Sequence, residues 1–527
     1  MNILLVTSRL AVRSVSEAVD RAKQRGAKHS IDVLVLPVDV IAILSTQQLL
    51  DLLLRMRSEE EFRGYDLIIV PGLVRGSTKV IEDRIGVPVV KGTIHAAMLD
   101  DLLLLSDDEL LSLSREVPAD EVVTRRIVDD ARRKLQSLED VYKSNHLCTM
   151  VGGVCVPLRP PPQRVVALTL LSKIKQCRDV VSRLKDADIV GIAIDVDTDP
   201  NTVMNMLKIL EKEISKPLAI DAHSPKLIER VSQHVDLVLN VRSDMLHHIP
   251  VSIRREICIS ITPLEAIEKS IEKSEVTEAV NYIVSLIEKA RSLGYEKIVL
   301  DLVLKQPLRG FVSSVVLYYY VHNKVNVPLQ MNLSNVVEFM DADSYGAIAL
   351  LMAMAQELGV SLLTVYEIDG RSYGIAKEAV LARSMITTAV LRGVPPRSVG
   401  VDLFVAKEPR PIDIDIVGER NPVIIDVPSD HDSEFSIDPM GLFRIRVDRY
   451  NKRIEMLYMG RKGLLLLRGS DPKALLREVI RRGLVSTPQH LAYLGYELAK
   501  AEIALRLGKS YIQDEPVIRS VFERVSI

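Results

Sequence analysis

The 527-residue sequence has no tryptophan, and aromatic residues make up only 4% of it. Platforms that stack nucleic-acid bases on aromatic rings are therefore not expected. Neither sign of charge dominates: 68 Lys and Arg face 70 Asp and Glu, for a net charge of −2. That balance supports neither a nucleic-acid coat nor attachment to an anionic membrane. Cysteine is scarce too. Cys148, Cys155, Cys177 and Cys258 form no C-x-x-C pair, which argues against a zinc knuckle or a thioredoxin motif. Isolated thiols in so long a chain point to a reducing compartment. The opening MNILLVTSRLAVRSV reads as a strand and a polar turn, without the design of a signal peptide. No run of about 18 apolar residues is available to span a membrane. The expected location is the cytoplasm.

What is present is a well-patterned α/β chain. Hydrophobic residues are 47% and charged residues 26%, enough for several packed cores. The length predicts about three or four domains. NILLVTS (2–8), VLVLPVDV (33–40), YDLIIVPG (65–72) and VPVVKG (87–92) are short branched-aliphatic runs with helical stretches between them. They predict a Rossmann- or flavodoxin-like parallel sheet over residues 1–150. Residues 100–147 read as helical, with a charged amphipathic stretch from Glu121 to Tyr142. VGGVCVPLRPPPQR (151–164), rich in Gly and Pro, reads as a linker.

Eight further strand-like runs follow: 165–170, 189–195, 217–221, 236–240, 257–261, 297–301, 327–331 and 361–365. Helical segments separate them, which predicts a (β/α)8 TIM barrel over 164–400, with an open doubly wound sheet as the alternative. From Pro409 to 527 the pattern becomes a small α+β domain. There FRIRVDR, IEMLYM and GLLLLRG precede two helices, the second opened by Thr487 as N-cap and Pro488 at the first helical position.

A barrel of this kind carries its ligand at the carboxyl ends of its strands. The runs end there in polar residues: Asp195, Asp221, Asn240 and Asp301. One acid after an apolar strand is often a loop residue satisfied by backbone N–H groups. Several at one mouth form a ring of acceptors, suited to a neutral heterocycle with several N–H donors. They suit a metal less well, because no His or Cys joins them at matched spacing, and no metal site is expected. His223 and His95 read as ordinary loop histidines, and His490 lies near the start of a C-terminal helix. The loops at Thr7-Ser8-Arg9, Gly72 and Gly92 carry no G-x-G-x-x-G or P-loop, so nucleotide binding there is a weak reading.

The stretches IDAHS, LVLNVR and VLD at strands three, four and six resemble the pterin-binding barrel of the dihydropteroate synthase superfamily. NLSNVVEFMDADSYG, QELGVSLLTVYE and the N-terminal NILLVTSRLA, DLIIVPGLVRG and VPVVKGTIHAA resemble an archaeal group of dihydropteroate synthase-related proteins. The resemblance implies a clamp of Asp221, Asn240 and Asp301 on a reduced pterin, held as substrate or ligand. The departures are specific. LVLKQPLRG follows Asp301 where the synthase has a Gly-rich loop, and QMNLSN lacks the synthase's pterin lysine. LLTVYEIDGRS offers only Arg371 in place of an Arg and a His, and VVALTLLS offers Thr169 and Ser172 where the synthase has a magnesium-binding Asn.

Asn335, Glu338 and Asp341 stand where the lysine would be and become candidate pterin ligands. Asn335 and Glu338 also have the spacing of a helix cap and its partner, and Asp343 reads as the cap of the next helix, which Gly359 ends. Arg242, Lys305, Arg309 and Arg371 are candidate anion-binding residues. The resemblance implies a transferase joining a reduced pterin's methylene to an aryl amine in archaeal folate- or methanopterin-type coenzyme metabolism. A pterin-dependent methyltransferase with a corrinoid acceptor and a non-catalytic pterin carrier or sensor stay open. So do a metal requirement and assembly as a homodimer.

Overall fold

A computed structural model of the chain describes all residues except 175–176, 196–197, 273–275, 369, 408–437 and 519–527. The chain is α/β. Two compact units are distinguished: residues 1–172, 184–366 and 375–404 form the first, and residues 173–183, 367–374 and 405–527 the second.

The first unit begins with a parallel sheet of β1 (Asn2–Ser8), β2 (Ser30–Leu36), β3 (Leu67–Val70) and β4 (Val89–Lys91). Its strand order, β2-β1-β3-β4, is that of a flavodoxin-type doubly wound sheet. Alternation along β1 explains the two-sided core. Ile3 and Leu5 join one apolar cluster with Val15, Ala18 and Val123, while Leu4 and Val6 join the other with Leu49, Leu53 and Ile81. The helix expected over Glu121–Tyr142 runs from Asp120 to Ser144.

The Gly/Pro-rich stretch is not a bare linker. Two antiparallel strands, β5 (Cys148–Val151) and β6 (Val154–Pro157), turn at Gly152 and Gly153, both with positive φ. Two left-handed residues make the tight hairpin turn whose twist matches its strands, and glycine takes that conformation without penalty.

The eight runs close into a barrel of β7 (Arg164–Leu170), β8 (Ile189–Ala193), β9 (Leu218–Asp221), β10 (Leu237–Arg242), β11 (Cys258–Thr262), β12 (Ile298–Asp301), β13 (Leu329–Asn332) and β14 (Val360–Tyr366). All eight neighbouring pairs are parallel, so the open-sheet alternative does not hold. β8 stops earlier than its apolar run suggested. Asp195 lies two residues beyond its end and is exposed, a loop acid rather than part of the ring. After β13 the chain makes a four-residue helix, Ser334–Val337, and then the helix Ser344–Glu357. Gly359 follows the second in left-handed backbone, φ +70°, as its C-terminal stop.

In the second unit β15 (Gly441–Asp448), β16 (Arg453–Gly460) and β17 (Gly463–Gly469) form an antiparallel sheet in that order. Ile454, Met456 and Tyr458 point to a core shared with Leu475 and Val479 of the helix Pro472–Arg481 and Leu494 and Leu498 of the helix Pro488–Leu507. Thr487 caps the latter by accepting from the His490 N–H, with Pro488 next to it, as the sequence indicated. Residues 409–437 of the expected C-terminal domain lie outside the described residues.

Candidate functional site

Asp221 is the last residue of β9, and its side chain lies almost wholly inside the barrel mouth. Asn240 reaches it through a local irregularity. The pairing of β10 with β11 shifts register between Val238 and Val241, and Asn240 takes a positive φ of 57°. Asparagine tolerates that left-handed backbone better than most residues. The amide Nδ2 then donates to Asp221 Oδ1 at 2.8 Å. The other oxygen accepts from the Tyr366 phenol at 2.7 Å. Tyr366 ends β14, which β7 and β8 separate from β9 in the barrel order, so its side chain crosses the interior. His223 Nε2 stands 3.7 Å from Asp221 Oδ1, beyond hydrogen-bond reach, on a largely exposed side chain.

Asp301 ends β12 and is deeper, at 3% exposure. Its Oδ1 accepts from the Val303 N–H at 2.9 Å and its Oδ2 from Gln330 Nε2 at 3.2 Å. The Tyr318 phenol lies 3.2 Å from Oδ1 but only 2.6 Å from the Gln330 carbonyl, and its single hydrogen cannot serve both fully. Burial raises the Asp301 carboxyl to about 6, with the Asp221 charge adding to the rise and the Val303 and Tyr318 bonds opposing it. Burial also pushes the Tyr366 phenol well above its ordinary value, reinforced by Asp221, Asp301 and Glu338. These four groups therefore share one electrostatic site.

Register shows the rest of this layer. Gln330 pairs with Asp301 across β12 and β13, and Asn332 pairs with Thr364 across β13 and β14. Thr364 shares the face of Tyr366, two residues on. On β7 and β8 the positions level with Tyr366 and Asp221 are Leu168 and Ala193. The mouth is thus polar on one side and apolar on the other, the lining a flat heterocycle with a polar edge requires. Gln330 Oε1, Thr262 Oγ1 and Thr364 Oγ1 are buried without a hydrogen-bond partner among the described residues. Buried polar atoms in that state are uncommon and favour a bound polar group or water.

The stretch after β13 departs from its sequence reading. Asn335 lies inside the short helix Ser334–Val337, and Glu338 follows as its C-terminal cap, so the two are not a cap and partner. Asn335 accepts from Asn332 at 3.2 Å and donates to the Leu304 carbonyl at 2.9 Å, tying the loop after β13 to the loop after β12. Glu338 is half-buried beside Tyr366, whereas Asp341 is exposed. Asp343 occupies the N-cap position of the next helix but makes no side-chain cap bond.

The candidate cations are less convergent than the acids. Arg242 is held by Asp244, with Nε–Oδ1 at 3.1 Å and Nη2–Oδ2 at 2.6 Å, on an exposed side chain. Lys305 is half-buried after β12, and Arg309 is exposed. Arg371 is exposed and belongs to the second unit. There Glu367, 1% exposed, stands 3.7 Å from Arg183 and is raised by burial against the pull of that guanidinium. Among the described residues no group of three or more His, Cys, Asp or Glu could hold a metal ion. Among the described residues no helix is long and apolar enough to cross a membrane.

Sequence reasoning missed Gln330, Tyr318 and Tyr366. Gln330 is visible as a polar residue inside the apolar run VPLQM, while no sequence pattern sets Tyr318 and Tyr366 apart from other tyrosines.

Residues 437–514 match the profile of the PterinBD-DUF4346 family. This match lies in the C-terminal domain and agrees with the pterin-binding, dihydropteroate synthase-related resemblance read from the sequence. An uncharacterized protein of Methanocaldococcus jannaschii is 28% identical over 98% of this chain and 98% of its own. Among solved structures, the dihydropteroate synthase of Yersinia pestis is 15% identical and covers 47% of this chain and 100% of its own, at a TM-score of 0.37. That of Xanthomonas albilineans, in complex with 7,8-dihydropteroate, is 16% identical with the same coverage and TM-score. The barrel assignment rests on the chain's own strand pairing.

Proposed function

We propose that the barrel mouth binds a reduced pterin, with Asp221, Asn240 and Asp301 taking the amino and ring N–H edge. The observation that supports this most is Asp301: a buried carboxyl raised to about 6, beside Gln330 and within the field of Asp221. A carboxylate is an effective acceptor for paired N–H donors, and an amide next to it both donates and accepts. Leu168 and Ala193 would lie against the ring face. Glu338 and Asn335 would approach the ring from the loop after β13, with Asp341 farther out. Localisation in the cytoplasm accords with this reading.

In the leading reaction, an aryl amine nitrogen forms a bond to the pterin methylene carbon. The carbon–oxygen bond to pyrophosphate breaks, pyrophosphate carries the electron pair away, and the amine gives up a proton. Negative charge grows on the leaving group, so cations must face it. Lys305 and Arg309, in the loop after β12, are the candidates. Such chemistry belongs to folate- or methanopterin-type coenzyme metabolism.

One observation favours a second reading. Arg242 is already neutralised by Asp244, which weakens the pyrophosphate half of the site. A pterin-dependent methyltransferase with a corrinoid acceptor, or a carrier without turnover, needs ring recognition and no pyrophosphate site. The deciding test supplies the purified chain with a reduced pterin pyrophosphate and an aryl amine, with and without magnesium. Release of pyrophosphate with formation of the coupled pteroate supports the synthase reading. Pterin binding without turnover favours the second.

A further inference from the structure

The three-stranded sheet of the second unit treats its two edges differently. At β15 the Gln513 side chain closes the edge: its Oε1 accepts from the Ile445 N–H at 3.1 Å, and its Nε2 donates to the Phe443 carbonyl at 3.4 Å. The helix Pro488–Leu507 packs along the same strand. At β17 nothing comparable is found among the described residues. Its pairing with β16 is unbroken from Gly463–Gly460 to Gly469–Ile454, and its other side receives no hydrogen bond among the described residues.

Natural sheets guard an open edge with a short strand, a proline, an inward lysine, a bulge or a covering element. β17, Gly-Leu-Leu-Leu-Leu-Arg-Gly, has seven residues, with no proline, lysine or bulge, and no element among the described residues bonds to its free edge. Its outward leucines are bare, Leu464 at 70% and Leu466 at 45% exposure. Arg468 is its single charge, and it is engaged with Glu455 of β16. On the inner face of the same edge, a cleft toward the helix Pro472–Arg481 is lined by Leu465, Leu467, Ala474 and Glu478.

We propose that the open edge of β17 pairs with β17 of a second copy of this chain, antiparallel about a two-fold axis at Leu466, to make one six-stranded sheet. The strand is self-complementary in that register. Glycine ends it on both sides, so Gly463 meets Gly469 and Leu466 meets its own mate. Leu464 lies opposite Arg468, where the aliphatic stem of the arginine covers the leucine. The two Arg468 guanidiniums stand on either side of the axis rather than opposed, so no like charges face each other. On the outer face the observed row Arg444–Leu457–Leu466 continues into its mate as an unbroken apolar band with arginines at its rims. An isologous contact of this kind closes as a dimer and leaves no strand to recruit further copies.

The test is sedimentation of the full chain, with engineered thiols to read register. The wild type is expected to sediment as a dimer. Leu466→Pro, which cannot keep the edge, is expected to halve the mass. Under mild oxidation Leu466→Cys is expected to give a covalent dimer absent from the wild type, Leu464→Cys alone none, and Leu464→Cys with Arg468→Cys to restore it. A wild type that is monomeric at tens of micromolar overturns the proposal. So does a dimer that forms no Leu466→Cys cross-link. So does one that survives Leu466→Pro but is lost on Tyr319→Lys, an exposed residue of the barrel helix Phe311–Val321.

Discussion

Asp301 in the barrel and Asp438 in the C-terminal domain are both aspartates at 3% exposure, yet their carboxyls shift in opposite directions. Burial raises both. At Asp438 it is outweighed: the carboxylate accepts from the backbone N–H groups of Met440, Ser486 and Thr487 and from both hydroxyls of Ser486 and Thr487. The result lies well below the usual carboxylate range. Asp301 has one backbone donor, one amide at 3.2 Å and a phenol shared with a carbonyl, and burial prevails. A carboxylate that holds a fold is saturated with donors. One left short of them has capacity for a ligand.

That contrast can be broken in order of expected effect. Asp438→Ala removes the acceptor of five donors and should cost about 3–5 kcal/mol, the scale for a buried charged group whose partners are stranded. Urea unfolding of the C-terminal domain would show it, and a loss below 1 kcal/mol would remove the structural role given to Asp438.

Asp301→Asn should change a pH dependence rather than a single value. The folded carboxyl titrates at about 6 against an ordinary 3.8, so the folded state binds the proton more tightly. Its stabilising share is full below about 3.8 and is lost as pH rises through about 6. Between those limits the wild type should lose ~3 kcal/mol relative to the asparagine variant. Parallel stability profiles for the two proteins would show Asp301 to be ordinary.

Tyr366→Phe removes one of the two donors to Asp221 and should cost about 1–2 kcal/mol, with the barrel otherwise intact. Arg242→Ala should leave stability unchanged within error, because its pair with Asp244 is exposed and screened. A measurable loss there would mean that Arg242 does more than meet its surface partner.

The barrel was legible in the sequence because branched-aliphatic runs alternate with amphipathic helices and end in polar residues at a fixed place. Asp221 and Asp301 fall at observed strand ends for that reason, and Asn240 falls beside them. The bulge that turns Asn240 toward Asp221 was not legible, since one left-handed asparagine leaves no periodic trace. Asp195 was misplaced because an apolar run does not mark where pairing stops. The cap reading of Asn335 and Glu338 failed for a related reason. Their spacing fits a capping box, but the Leu333 N–H is bound to the Thr364 carbonyl and Leu333 is the N-cap, so the short helix starts two residues earlier than the spacing implied. Tyr366 was hidden because its partner lies 145 residues away in sequence. The open edge of β17 depends on strand order, a non-local property.

The central claim is that the Asp221–Asn240–Asp301 ring binds a reduced pterin. The most direct measurement is a calorimetric titration of a reduced pterin into the wild type and into Asp301→Ala above pH 7, with thermal melts to confirm that both are folded. The account predicts saturable binding to the wild type and at least a tenfold weaker affinity in the variant, the scale of one lost charge-assisted hydrogen bond. Equal affinity in the two folded proteins would contradict it.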